Sequence, residues 1–155
     1  MKTKKNKLVP KLRFPEFKDD GEWQEDSLGG NNIALFVNEK MPFHELRLET
    51  YVSTENLLSN YEGKSIASKL PATGSVTRFK KEDILLSNIR PYLKKVWFAN
   101  MDGGASNDVI VIRADSKIEA SFLSFMLIND AFITYIMKGA EGVKMPRGDK
   151  DLIKE

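Results

Sequence analysis

Short apolar runs separated by polar and glycine-containing stretches dominate the centre of the chain. Ile84-Leu85-Leu86, Val96-Trp97-Phe98 and Val109-Ile110-Val111-Ile112 predict strands over 84–87, 95–99 and 107–113. The last run is unbroken rather than alternating, which predicts a strand buried on both faces. Further strands are expected over 33–37, at Tyr51-Val52 and around Ser75-Val76-Thr77, with turns at Gly29-Gly30-Asn31-Asn32 and Asp102-Gly103-Gly104. Ser53 or Thr54 is placed to cap a short helix through Leu58. The period changes over 120–138, where Phe122, Phe125, Met126, Asn129, Phe132, Ile133 and Ile136 recur at helical spacing. Asn129-Asp130 is a point where that helix can break in two, Gly139 and Gly142 end it, and Asp149 can cap a last turn through Leu152. These elements predict an α+β fold: an irregular, mostly antiparallel sheet with one substantial helix.

Residues 1–26 read differently, as an extended N-terminal arm. Pro10 and Pro15 exclude a helix. Leu8, Val9, Leu12, Phe14 and Phe17 are suited to pin the arm to a surface, and Trp23 to anchor its end. Residues 27–155 then form a single domain, an ordinary size for one.

The segment between the first two strands carries the most chemistry. Ser87-Asn88-Ile89-Arg90-Pro91-Tyr92-Leu93-Lys94-Lys95 supplies a guanidinium, two ammoniums, an aromatic ring and an amide. Arg and Asn can pair with base edges, and Lys can neutralise phosphate. Pro91 should hold Arg90 extended. The same residues would also suit a basic hairpin tip, with Asn88 forming a turn and Tyr92 packing on the hairpin. A second basic loop runs from Gly142 to Gly148 and carries Lys144 and Arg147. Arg147 is close in sequence to possible partners in Asp149 and Asp151. Asp108, ahead of a buried strand, reads as structural.

Charge sharpens this picture through its distribution. The net charge is only +2, but residues 1–18 hold seven Lys or Arg against one Glu, and Arg78, Lys80, Lys81, Arg90, Lys94 and Lys95 fall within 18 positions. Local basic stripes on a near-neutral protein suit docking one face on a polyanion. Cysteine is absent, which excludes disulfides and thiolate zinc sites and fits a reducing cytoplasm. With His44 the lone histidine, no His-based metal site or ordinary nucleophile–base triad can be assembled. No dinucleotide fingerprint or P-loop is present, and no apolar run is long enough to span a membrane. No catalytic, metal or cofactor site is therefore expected. Asn88-Ile89-Arg90-Pro91-Tyr92 is only superficially similar to the Asn-Pro-Pro-Tyr motif of DNA amino-methyltransferases. Ile89 and Arg90 break that motif, and no methyl-donor loop accompanies it.

Four segments together resemble the specificity (S) subunits of type I restriction–modification systems. They are Leu8-Val9-Pro10-Lys11-Leu12-Arg13-Phe14-Pro15-Glu16-Phe17 with Gly21-Glu22-Trp23 and Ser27-Leu28-Gly29; Glu82 to Tyr92; Gly103 to Asp108; and Glu141 to Asp149. The resemblance implies a target recognition domain that reads one half of a bipartite site in double-stranded DNA. It also implies methyltransferase subunits as partners and, through them, the restriction subunit. Only the first recognition domain is matched, so a truncation before the conserved spacer helix is expected. On this reading Asn88, Arg90 and Tyr92 lie in or near the groove. Lys80, Lys94 and Lys95 meet phosphate, and Lys144 and Arg147 form the second contact loop. The alternatives are a truncated interaction protein that no longer touches DNA and, less favoured by the motifs, a methyltransferase or nuclease.

Overall fold

The computed structural model of the chain describes residues 8–140 and 146–155. The elements run β1 (Ala34–Phe36), β2 (Lys40–Pro42), β3 (Tyr51–Val52), β4 (Ser75–Phe79), β5 (Ile84–Ser87), β6 (Val96–Phe98), β7 (Gly103–Ala105), β8 (Val109–Ala114), α1 (Ala120–Leu127), α2 (Asp130–Met137) and α3 (Lys150–Lys154). The class is α+β, but the strands sort into two four-stranded sheets rather than one. The first, in the order β1-β8-β5-β6, is antiparallel throughout; the second, β2-β4-β7-β3, has β3 and β7 parallel.

The strand pair β5–β8 is the centre of the molecule, in register from Ile84 opposite Ile112 to Ser87 opposite Val109. Side chains alternate across a strand, so its two faces serve two cores. Ile84, Leu86, Ile110 and Ile112 pack with Leu123, Leu127, Ile133, Ile136 and Ile153 of the helices. Leu85, Val109 and Val111 pack on the other side with Val52, Leu57, Phe79 and Ala105. The unbroken Val/Ile run thus marks a strand covered on both faces, as its pattern implied. Beside it Asp83, almost fully buried, accepts two bonds of 2.7 Å from the Arg113 guanidinium. The ion pair ties the start of β5 to the end of β8.

Some local expectations are overturned by distant partners. The Gly103-Gly104 turn is strand β7, because a Cβ at Gly103 would overlap the Thr50 carbonyl and the Phe79 ring; glycine lets β3 and β4 close in on both sides. The helix expected after Ser53 is a single turn, closed by Leu57 N–H on the Ser53 carbonyl and braced by the Asn56 side chain. The helical stretch breaks at Ile128-Asn129, where the Asn129 side chain accepts from Phe132 N–H and caps α2. α1 and the stretch Asp130–Ala140 meet at 63°, and no single helix among the described residues is long and apolar enough to cross a membrane. Asp149 caps α3 through the amides of Asp151 and Leu152. In α1 the buried side is Leu123, Ser124 and Leu127, one step out of phase with the expected one, and Phe125 is left 77% exposed.

Residues 8–26 contain only one short helical turn, the 3-10 turn Pro15–Phe17. Leu12 and Phe14 are 92% and 73% exposed, so they do not pin the segment. Trp23 does: its amide donates to the Leu8 carbonyl at 2.9 Å and its ring lies 6.0 Å from that of Phe122. Leu8, Trp23, Phe122, Phe125 and Met126 leave an uncovered apolar face on this side.

Candidate nucleic-acid interface

The segment joining β5 to β6 leaves the central sheet at the C-terminal end of β5. Ser87 Oγ donates to the Ile89 carbonyl, and Pro91–Leu93 forms a 3-10 turn. Arg90 and Lys94, on either side of that turn, are both left-handed, with φ of 50° and 57°. The extended Arg90 expected from Pro91 is therefore not found: the Arg90 amide donates to the Pro146 carbonyl at 2.8 Å and its carbonyl accepts from Leu93, and these two bonds hold it where a pre-proline residue rarely sits.

The Pro146 bond is part of a junction between the two basic loops. Ile89 and Arg147 form an isolated antiparallel bridge, and the Gly148 amide donates to the Asn88 carbonyl at 3.0 Å. Arg147, far from Arg90 and Tyr92 in sequence, comes to the same edge of the molecule. Tyr92 is 48% exposed, and Arg90 and Arg147 are open to solvent. Lys144 lies outside the described residues.

The remaining expected contact residues are placed less simply. Asn88 is buried: its amide donates to the Asp108 carbonyl at 2.8 Å and its side chain lies under Gly148, with Oδ1 unpartnered. As folded it is a junction residue rather than a groove residue, because the bonds that join the loops draw it inward. Lys95 Nζ donates to the Thr54 carbonyl at 2.6 Å, and Lys94 Nζ to Asp130 at 3.1 Å. Lys80 is exposed, but it precedes β5 whereas the loop follows it, a separation of roughly 13 Å for a four-residue strand. Arg147 pairs with Asp108 at 3.4 Å, not with Asp149 or Asp151.

A brace unforeseen from the sequence supports the loop. The amides of Asn60 and Tyr61 donate to the carbonyls of Leu93 and Lys94, at 3.0 and 2.9 Å, and both residues are themselves left-handed. Tyr61 OH donates to Asp130 Oδ1 at 2.9 Å, while Lys94 holds Oδ2 of the same carboxylate. Burial first, then the carboxylate, pushes the Tyr61 hydroxyl upward. The Tyr61 bond, then Lys94, holds the Asp130 carboxyl below its ordinary value. Only the acid at the start of α2, next to a helix break, hinted at this in the sequence. Beside Asp108 opens a cleft of about 350 Å³ with a mixed lining that includes Tyr51, Asn56, Ile66 and Leu70. Burial raises the Tyr51 hydroxyl, and Glu55 and Asp108 add to it. Among the described residues no group of three or more His, Cys, Asp or Glu could hold a metal.

No protein-family model matches the chain. Over 102 residues it is 31% identical to the type I restriction enzyme EcoDI specificity subunit of Escherichia coli. The HsdS subunit from Thermoanaerobacter tengcongensis superposes on 77% of the chain with a TM-score of 0.53 and 21% identity. A chain from a structure of complex assembly and conformational transition in a type I R-M system covers 84% of it, with a TM-score of 0.65 and 19% identity. The fold is shared with about a third of the HsdS subunit. The similarity to those subunits spans part of their length: the aligned region is 63% of this chain but 22% of the E. coli protein, and about a third of each solved chain.

Proposed function

We propose that the chain is a DNA-reading module of a type I restriction–modification specificity subunit. In this role it is non-catalytic and cytoplasmic, reads one half of a bipartite target in double-stranded DNA, and directs methyltransferase and restriction subunits in the whole protein. The reading treats 27–155 as the recognition domain and 1–26 as its arm. The observation that carries it is the junction of the two basic loops, which gathers Arg90, Tyr92 and Arg147 on one exposed edge. An arginine fork and a phenol ring held on a fixed backbone suit base-edge contacts, and flanking charge supplies the phosphate attraction that sequence reading rides on. Arg147 would contact DNA, and Lys94 and Lys95 phosphate, only by exchanging their present partners, and Lys80 only on DNA that runs along β5.

The test is binding of the purified chain to duplex DNA across a salt series. Affinity should fall steeply with salt as counterions are released. Binding that ignores salt, or is absent at low salt, would refute the reading. A second reading, an interaction protein without DNA contact, draws on the uncovered apolar face around Trp23 and Phe125. It predicts that the second of those outcomes occurs.

A further inference from the structure

The loop that carries Arg90 is strained at both ends, and the strain is answered by a set of contacts the proposed reading does not use. Four non-glycine residues have left-handed backbones in two bonded segments: Asn60 and Tyr61 in one, Arg90 and Lys94 at the two ends of the turn in the other. Such conformations persist only where the surroundings fix them, and they gather at sites that must be preorganised. Arg90 is fixed by Pro146 and Leu93; the Lys94 end is fixed by two backbone bonds from Asn60 and Tyr61 and by one carboxylate, that of Asp130, which takes the Tyr61 hydroxyl and the Lys94 ammonium together. Asp130 comes from α2, whose start is set by the Asn129 cap, so the helix end is the fixed point from which the loop is held. Asp130 is itself exposed, 68% for its side chain, and an unpaired acid this near a DNA-facing edge would repel phosphate.

We propose that Asp130, with Tyr61, is a positioning residue for sequence reading: the shared carboxylate locks the Arg90–Lys94 turn in the shape that presents Arg90 and Tyr92 to base edges. This rests on the DNA-reading role proposed above. It assigns specificity to a residue that touches no base, and makes Lys94 first a tether of the loop. Loss of the lock would leave Arg90 free to meet phosphate on any sequence while weakening its hold on one base.

The experiment is selection of the full chain on double-stranded DNA with a randomised core, followed by titration of the enriched duplex and a scrambled one against wild type, Asp130→Asn, Asp130→Glu and Tyr61→Phe. For Asp130→Asn the ratio of the two affinities should fall by about tenfold, the size of a lost bidentate base contact. The scrambled duplex should bind as well as before or better, and the melting temperature at neutral pH should fall only slightly, as the loss of an exposed ion pair allows. Asp130→Glu should recover part of the ratio, and Tyr61→Phe should lose part of it; Tyr61→Phe also serves if Asp130→Asn proves unstable. An unchanged ratio in Asp130→Asn and Tyr61→Phe, or an equal loss on both duplexes, overturns the positioning role while leaving DNA reading intact. If wild type enriches no sequence at all, the reading role fails and takes this one with it.

Discussion

Asn88 and Gly148 meet with no room between them: a Cβ at position 148 would stand 2.8 Å from Asn88 Oδ1. That oxygen is buried and cannot turn to solvent, so the pair sets how closely the two basic loops approach. Gly148→Ala should therefore destabilise the chain by about 1–3 kcal/mol, as overpacking does. In an Asn88→Ala background the same change should cost less, the remainder being the Ile153 methyl 3.1 Å from the same Cβ. Chemical denaturation of the two single variants and the double one gives the coupling, and strict additivity would show that the contact is not what constrains the junction.

The Asp83–Arg113 pair is the other buried contact open to test. With Asp83 1% exposed and both its oxygens on the guanidinium, removing the acid leaves Arg113 without a partner beside the core. Asp83→Ala should cost about 3 kcal/mol, the lower end for a broken buried pair because Arg113 is partly exposed. Urea unfolding should show a lower midpoint with an unchanged slope. A loss under 1 kcal/mol, on the order of a surface pair, would mean that water already reaches it.

Arg90 and Lys80 stand at opposite ends of β5 and should behave differently on DNA. Arg90→Ala should lose about 1–3 kcal/mol on the preferred sequence and less elsewhere. Lys80→Ala should change neither affinity nor salt slope beyond about 0.5 kcal/mol. If Lys80→Ala lowers the salt slope by about one contact instead, the DNA path runs along β5 and not only across its C-terminal end.

Acid should undo the Asp130 clamp in a defined direction. Its carboxyl lies below the ordinary 3.8 in the folded chain, chiefly because Tyr61 donates to it and then because Lys94 does. The folded chain thus binds that proton less readily than the unfolded one, so the contribution is complete above 3.8 and fades as pH falls below it. The difference in melting temperature between wild type and Asp130→Asn should close over that range. A difference that persists in strong acid would mean the carboxylate charge is not what holds the loop.

What the sequence disclosed was decided locally. The limits of β5, the doubly covered β8, the break at Asn129 and the Asp149 cap each follow from residues within a few positions, through periodicity or a side chain reaching its neighbouring amides. What it concealed was decided at a distance. Gly103 and Gly104 look like a turn until Thr50 and Phe79 press against the first and Leu46 and Val76 against the second. Arg90 looks extended until Pro146 takes its amide, and Lys94 looks free until Asp130 arrives from α2. Both basic loops were visible in the sequence; their union through Ile89 and Arg147 was not, because neither loop carries the pattern of a strand.

That union also sets an order of events as the chain folds. β5 and β6 are joined by a short connection and can pair early, whereas closing Ile89 onto Arg147 spans more than a third of the sequence and carries a larger entropic cost. Until that closure, Arg90 belongs to an ordinary hairpin tip. The edge proposed to read DNA thus acquires its shape later than the hairpin that carries it, and an incompletely folded chain would carry the charge of a reader without its discrimination.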